Sequence, residues 1–156
     1  MNEYFVSNRD VIKNFAINTG TSANPVFTNM CTSSELALNT EMTSQDFFVF
    51  CDAIRRSVNT GVALTIEGTV KIDANNTAVQ KVLGNIHTLI ASGTISQFNN
   101  VKAKFDLLTK ATGGVLEYTT YIVSTNFSLE SLGGSAEDVG EFSMSLTING
   151  IGTVSA

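Results

Sequence analysis

The sequence predicts a mainly β protein with a flanking helix, an α+β arrangement in which an antiparallel β-sandwich or barrel carries one helix on its surface. Three stretches predict it. From Phe142 to Asn149 the residues alternate strictly, with Phe142, Met144, Leu146 and Ile148 on one side and Ser143, Ser145, Thr147 and Asn149 on the other. That is the period of a half-buried strand. Val62 to Asp73 alternates in the same way, with Val62, Leu64, Ile66, Val70 and Ile72 facing in and Ala63, Thr65, Glu67, Thr69, Lys71 and Asp73 facing out. By contrast, Val79, Val82, Leu83, Ile86, Leu89 and Ile90 fall on one stripe of a 3.6-residue period, so Asn75 to Gly93 reads as a helix.

Taken in order, Met1 to Asp10 is polar and without period apart from Tyr4 and Phe5, and reads as a mobile arm. Val11 to Ile17 is a first short strand. Thr19 to Pro25 is turn chemistry, with Gly20, Asn24 and the only proline. Val26 to Thr32 and Glu35 to Asn39 read as two further short strands. Between Thr43 and Gly61 the period changes. Phe47, Phe50, Cys51, Ile54 and Val58 make one helical stripe, Thr43 or Ser44 caps its start, Arg55 and Arg56 suit its last turn and Gly61 its end. The run Phe47-Phe-Val-Phe50 fits a strand as well.

Gly68 sits on the apolar side of its strand and marks a bulge or a close backbone approach. In the helix that follows, Asp73, Asn75 or Asn76 supplies the N-cap and Gly93 the left-handed C-cap, while Gly84 suits close packing on a sheet. Val101, Ala103, Phe105 and Leu107 then alternate with Lys102, Lys104 and Asp106 in another strand. Lys110 to Gly114 is a hairpin turn with two glycines. Leu116 to Thr125 returns as a strand with apolar residues on both faces, and Leu132 to Gly140 is a loop, acidic at Glu137 and Asp138.

The chain has 156 residues and no Pro-rich linker, which suits one domain over 1–156 with a sizeable core. No apolar run approaches the roughly 20 residues of a membrane-spanning helix, and the start Met1-Asn-Glu-Tyr-Phe-Val is not that of a signal peptide. A cytoplasmic origin is expected. Only 15% of residues are charged, against about 25% in ordinary soluble domains. Nearly a third are Ser, Thr or Asn, a weakly charged surface that suits burial against further copies. The net charge of -5 argues against a protein that reads nucleic-acid sequence, which needs cations for the phosphates. It is compatible with a passive conduit to which DNA does not stick.

No catalytic set assembles from these residues. The one histidine, His87, falls at the edge of the helical stripe, and Gly133-Gly134-Ser135 is a turn rather than a nucleophile elbow. Phosphate-loop and dinucleotide signatures are absent, so no cofactor and no enzyme activity are expected. Cys31 and Cys51 have no metal-like spacing and read as reduced, partly buried thiols. Glu130, Glu137, Asp138 and Glu141 lack the spacing of a calcium loop and read as solvated.

The polar side of Phe142 to Asn149 carries hydroxyls and an amide but no charge, as expected of a face that meets another protein surface. The same region, Phe127-Ser-Leu-Glu-Ser-Leu-Gly-Gly134 followed by Ala136-Glu-Asp-Val-Gly-Glu-Phe-Ser-Met-Ser-Leu-Thr-Ile-Asn-Gly-Ile-Gly152, resembles the closing strands of tail tube proteins (major tail proteins) of long-tailed bacteriophages. The resemblance lies in the order of elements more than in a fixed motif. It implies an antiparallel sandwich or barrel subunit that forms hexameric rings stacked into a hollow tail tube, through which the genome passes during ejection. The implied partners are further copies, a tape measure protein, tail tip and terminator proteins, and double-stranded DNA in passage, with no membrane. The implied location is the virion tail.

On this reading Glu67, Lys71 and Glu117 are candidates for the lumen, the alternative being that they face bulk solvent. Tyr4, Phe5 and Pro25, with the segment Cys31 to Thr43, are candidates for contacts between stacked rings. The competing class is a ring-forming tail component outside the tube, or a virion surface binding module.

Overall fold

The computed structural model describes residues 5–21 and 23–155, apart from the side chains at 52, 53 and 153–155. Seven strands follow one another: β1 Ile12–Asn18, β2 Phe27–Asn29, β3 Ser33–Val49, β4 Asp52–Lys71, β5 Val101–Thr112, β6 Val115–Leu132 and β7 Glu141–Ser155. One α-helix, α1 (Thr77–Ser92), lies between β4 and β5. The strands form one sheet in the order β2-β1-β5-β6-β7-β4-β3, every neighbouring pair antiparallel.

Alternation decides which side of the sheet is covered. In β7, Phe142, Met144 and Leu146 are fully buried, and they meet Ile66 and Val70 of β4, Val123 and Phe127 of β6, and Ala103 and Phe105 of β5 in one cluster. Phe15 and Ile17 of β1 join that cluster, as do Val79, Val82 and Ile86 of α1. Each such side chain contributes about 1.5–3 kcal/mol by leaving water, so this cluster holds the sheet and α1 together. The polar atoms inside it are bonded. Thr125 is fully buried and donates from Oγ1 to the carbonyl of Val101 at 2.7 Å.

The helix has the cap expected of Asn76, whose Oδ1 accepts from the backbone N–H groups of Ala78 and Val79 at 2.9 and 3.2 Å. Asn76 also donates from Nδ2 to the carbonyl of Asn29 at 2.9 Å, which ties the start of α1 to β2. Gly93 ends the helix in the left-handed conformation. Gly84 faces open space, with nothing within 4 Å of the position a Cβ would take, so it does not serve close packing on a sheet.

Three glycines are required by geometry. At Gly68 an added Cβ would stand 2.8 Å from the carbonyl oxygen of Glu35 and 3.0 Å from Leu36 Cδ2, so β3 crosses β4 too closely for any side chain there. Gly113 and Gly114, at φ 60° and 82°, form the two-residue turn joining β5 to β6, and positive φ at both positions is what such a tight hairpin demands.

The largest difference from the sequence reading lies at Thr43 to Gly61, which is not a helix. It is the outer part of a two-stranded ribbon, with Met42 opposite Val62, Phe47 opposite Arg56 and Val49 opposite Asp52 across a turn at Phe50-Cys51. Thr43, Val49, Ile54, Val58 and Thr60 are β-branched and Phe47, Phe48 and Phe50 aromatic, a composition that favours strand. The apparent helical stripe arises because both faces of the ribbon carry apolar residues. β2 is shorter than expected, and β6 continues well past Thr125. Within the segment expected to be an arm, Asn8–Asp10 forms a 3-10 turn whose Asp10 carbonyl accepts from the Tyr118 hydroxyl at 2.7 Å.

Candidate assembly surfaces

The side of the sheet turned away from the core is polar. Residues opposite one another share a face, and one row runs from Ala37 through Glu67 and Ser145 to Ser128, the next from Asn39 through Thr65 and Thr147 to Asn126. Thr69 and Ser143 lie side by side with their hydroxyls 3.4 Å apart. This surface mixes hydroxyls and amides with charged residues, Glu35, Glu41, Glu67, Lys71 and Glu141 on β3, β4 and β7 and Lys102, Lys104 and Asp106 on β5. Glu67 is exposed on it. Lys71 stands two positions further along the same face and forms an ion pair with Glu141. The hydrogen bond to that carboxylate, against a smaller opposing effect of desolvation, raises the pKa of Lys71 above the ordinary lysine value.

Glu117 is not brought to this face. It lies on β6, which β7 separates from β4, and it falls on the alternation of Tyr121 and Val123, the core side. There it faces Lys110 of β5 at 3.4 Å, near the Gly113-Gly114 turn. Among the ring-contact candidates, Tyr4 lies outside the described residues. Phe5 is exposed, and so is Pro25. The turn around Pro25 is held by Asn18, whose Oδ1 accepts from the N–H groups of Gly20 and Val26, both at 2.9 Å.

The surface that sequence reasoning missed is the ribbon. β4 pairs with β7 only from Thr65 to Lys71, so from Leu64 outward β4 is paired only with β3. Met42, Phe47, Phe48, Phe50, Val58 and Val62 are all exposed along it, Phe48 at 67% and Phe50 wholly. On the core side, Leu36 and Leu38 of β3 are packed against the buried cluster, and the same face continues through Met42 and Val62 into solvent. Asp46 and Arg55 form an exposed ion pair at 3.6 Å across the ribbon. The signal that would have found this surface was the density of β-branched and aromatic residues.

Strand edges are open in several places among the described residues, β2 at the other end of the sheet and β4 from Leu64 outward included. β3 is the last strand of the sheet, β7 from Ile148 onward has no partner on its β4 side, and β1 is paired with β2 only from Ala16 to Asn18. A groove of about 990 Å³ runs between β1 and the start of β3, lined by the apolar Phe15, Met30, Leu36 and Met144, by the charged Arg9, Lys13, Glu35 and Glu130, and by Glu67, Thr69 and Ser143 of the polar face. Cys31 lines it as well. Both cysteines are free and exposed rather than partly buried, Cys51 at the ribbon's turn.

Among the described residues, no three His, Cys, Asp or Glu side chains gather in a way that could hold a metal ion. No described helix is long and apolar enough to cross a membrane. The fold has counterparts in solved structures. The chain superposes on the protein of the SPP1 tail tube with a TM-score of 0.56 and 15% identity, over 94% of this chain and 77% of that one. A chain of the PVC sheath–tube complex, from an extracellular contractile injection system in its extended state, matches with a TM-score of 0.50 and 14% identity, over 92% and 88%. A chain of the anti-feeding prophage cap, which terminates that tube, matches at 0.50 and 13%, over 99% and 97%. No protein-family model matches the sequence, and no curated protein does. The likeness is one of fold: an antiparallel tail-tube sheet with one helix.

Proposed function

We propose that this chain is the structural subunit of a phage tail tube, a single domain over 1–156 that assembles as hexameric rings stacked into a hollow tube in the virion tail and conducts the genome during ejection. One observation carries this reading. On a tube-protein fold, an apolar ribbon and several strand edges lie open among the described residues. Exposed apolar area of this extent marks an interaction surface. Open edges invite pairing with another chain, and an interface between unlike surfaces of identical subunits propagates into rings or filaments.

In this arrangement the open edges of β7 and β4 join neighbours within a ring, and the ribbon reaches between rings. The exposed ribbon supports it as an inter-ring contact beside Phe5, Pro25 and the arm. The polar face bearing Glu67 and Lys71 lines the lumen and α1 lies on the outer wall, with Glu117 at a rim rather than among the lumen residues. The net charge of -5 lets DNA pass without holding it. The tape measure protein occupies the bore before ejection, and tail tip and terminator proteins close its ends. No step of this work is catalytic.

Electron microscopy of the purified full chain across a concentration series, with light scattering for mass, tests the reading. Stacked rings or hollow tubes are expected, and a persistent monomer with a tail-tip nucleator present would overturn it. The position of Glu67 has its own test, in a Cys31→Ser, Cys51→Ser background. In Glu67→Cys tubes, a maleimide too bulky for the bore should label slowly, and in free subunits rapidly. Equal rates would place Glu67 on the outer wall. The likeness to a chain of the anti-feeding prophage cap supports a second reading, a ring-forming tail component outside the tube. Rings that never stack would favour it.

A further inference from the structure

Asn149-Gly150 in β7 is the one Asn-Gly pair of the chain, and it lies where the fold restrains it least. We propose that it is a site of spontaneous covalent modification in the dispersed subunit: the Asn149 side-chain amide is lost through a cyclic imide, leaving aspartate or isoaspartate, and assembly shields the site.

The register of the sheet carries this first. Thr125 of β6 lies opposite Ile148, and Ser124 opposite Gly150. Asn149 is therefore the extra residue of a bulge, where the ladder is locally disrupted and the backbone is freer to turn. On its other side β4 supplies no partner, because its pairing with β7 ends at Thr147. Asn149 is exposed, and among the described residues no hydrogen bond holds its side chain. Other asparagines are held. Asn14 donates to Asp106 Oδ2 at 2.9 Å, Asn18 accepts from Gly20 and Val26, and Asn76 caps α1. Each of these precedes a residue with a branched or aromatic side chain, Phe15, Thr19 or Thr77, which crowds the backbone nitrogen that would attack.

Gly150 removes that crowding without being needed by the fold. A Cβ added there would meet nothing within 4 Å, and Gly150 is not among the glycines at positive φ. The chemistry then needs only water. The Gly150 backbone nitrogen gives up its proton and bonds to Asn149 Cγ, the Cγ–Nδ2 bond breaks, and the proton leaves with ammonia. Water opens the resulting imide at one of its two carbonyls. Opening at Cγ gives aspartate, and opening at the main-chain carbonyl gives isoaspartate, whose backbone is longer by a methylene. Either product adds a negative charge, and isoaspartate also displaces the pairing that follows, Ile151 with Val123.

The shielding rests on the tube reading, in which the open edge of β7 joins a neighbour within the ring. There the same pair separates assembled chains, which keep Asn149, from unassembled chains, which lose it and with it the edge that pairs.

Full-length protein kept dispersed at mildly alkaline pH, sampled over days and read by peptide mass spectrometry with electron-transfer fragmentation, tests the site. The mass gain of NH2 replaced by OH should accumulate at Asn149 ahead of every other asparagine, with isoaspartate present. Gly150→Ala should fold unchanged and lose most of that gain. A gain spread evenly over the asparagines, or an unaltered rate in Gly150→Ala, would overturn the site and leave the tube reading untouched. In tubes verified by microscopy the gain at Asn149 should nearly stop, and converted chains should be depleted from tubes relative to the supernatant. Tubes that convert as fast as dispersed subunits would overturn the shielding, with the tube reading still standing.

Discussion

The body of the sheet and the ribbon that leaves it are built from the same strands, yet they treat apolar residues in opposite ways. In β4, Ile66 and Val70 are buried, while Val58 and Val62 of the same strand are half exposed. The difference is not in the residues but in what surrounds them: β7 beside β4 and the buried cluster over it in the body, and in the ribbon, among the described residues, β3 as the one paired strand. An apolar face within this molecule is therefore either its own core or, on the tube reading, a surface for a second copy. Substitutions along the two regions separate these roles.

The largest effect belongs to the body. Leu146 is fully buried in β7 between β4 and β6, and Leu146→Ala removes its contacts and leaves a cavity. A loss of about 2–5 kcal/mol is expected in urea unfolding of the dispersed subunit, with assembly failing as a consequence. A loss below 1 kcal/mol would mean that the body is loosely packed and the contrast with the ribbon overstated.

Next comes the junction of the two regions at Gly68, where a side chain would collide with the backbone of Glu35. Gly68→Val is expected to cost about 1–3 kcal/mol and to raise amide exchange along Ser33 to Leu38. Unchanged exchange there would show that β3 is held by something other than its close approach to β4. A smaller effect is expected at the helix. Asn76→Ala leaves the N–H groups of Ala78 and Val79 without their acceptor, a loss of about 1 kcal/mol. An equal loss from Asn76→Asp, which keeps an acceptor oxygen, would point instead to the bond from Asn76 Nδ2 to Asn29.

The body was legible in the sequence for the same reason that it is stable. Phe142 to Ile148 and Leu64 to Ile72 alternate because one face is buried in the chain, and α1 shows its stripe and both caps because it packs on that face. The ribbon was not legible, since periodicity reveals a face only when the opposite face is polar. With Phe47 and Phe48 on adjacent positions and apolar residues on both faces, no period of two survives, and the spacing of Phe47, Phe50, Ile54 and Val58 imitates a helix. Of the surface residues, Glu67 and Lys71 were placed together by alternation within one strand. Glu117 was not, because its face depends on the order of strands in the sheet, which sequence spacing does not contain.

The smallest effect on the subunit's own stability is expected where the effect on assembly is complete. Phe48 and Phe50 are exposed, and replacing exposed residues rarely moves stability by more than about 0.5 kcal/mol. Phe48→Ser with Phe50→Ser should therefore leave the unfolding midpoint of the free subunit unchanged, and sedimentation velocity should find that subunit at concentrations where, on the tube reading, the parent chain forms tubes. A midpoint falling as far as that of Leu146→Ala would make the ribbon part of the core and dissolve the distinction between the two regions. Tubes of normal length from the double variant would leave the ribbon without a role in stacking and return the inter-ring contact to the arm and the turn at Pro25. Loss of tubes with the subunit intact is the result that ties exposed apolar side chains, rather than the stability of the fold, to assembly.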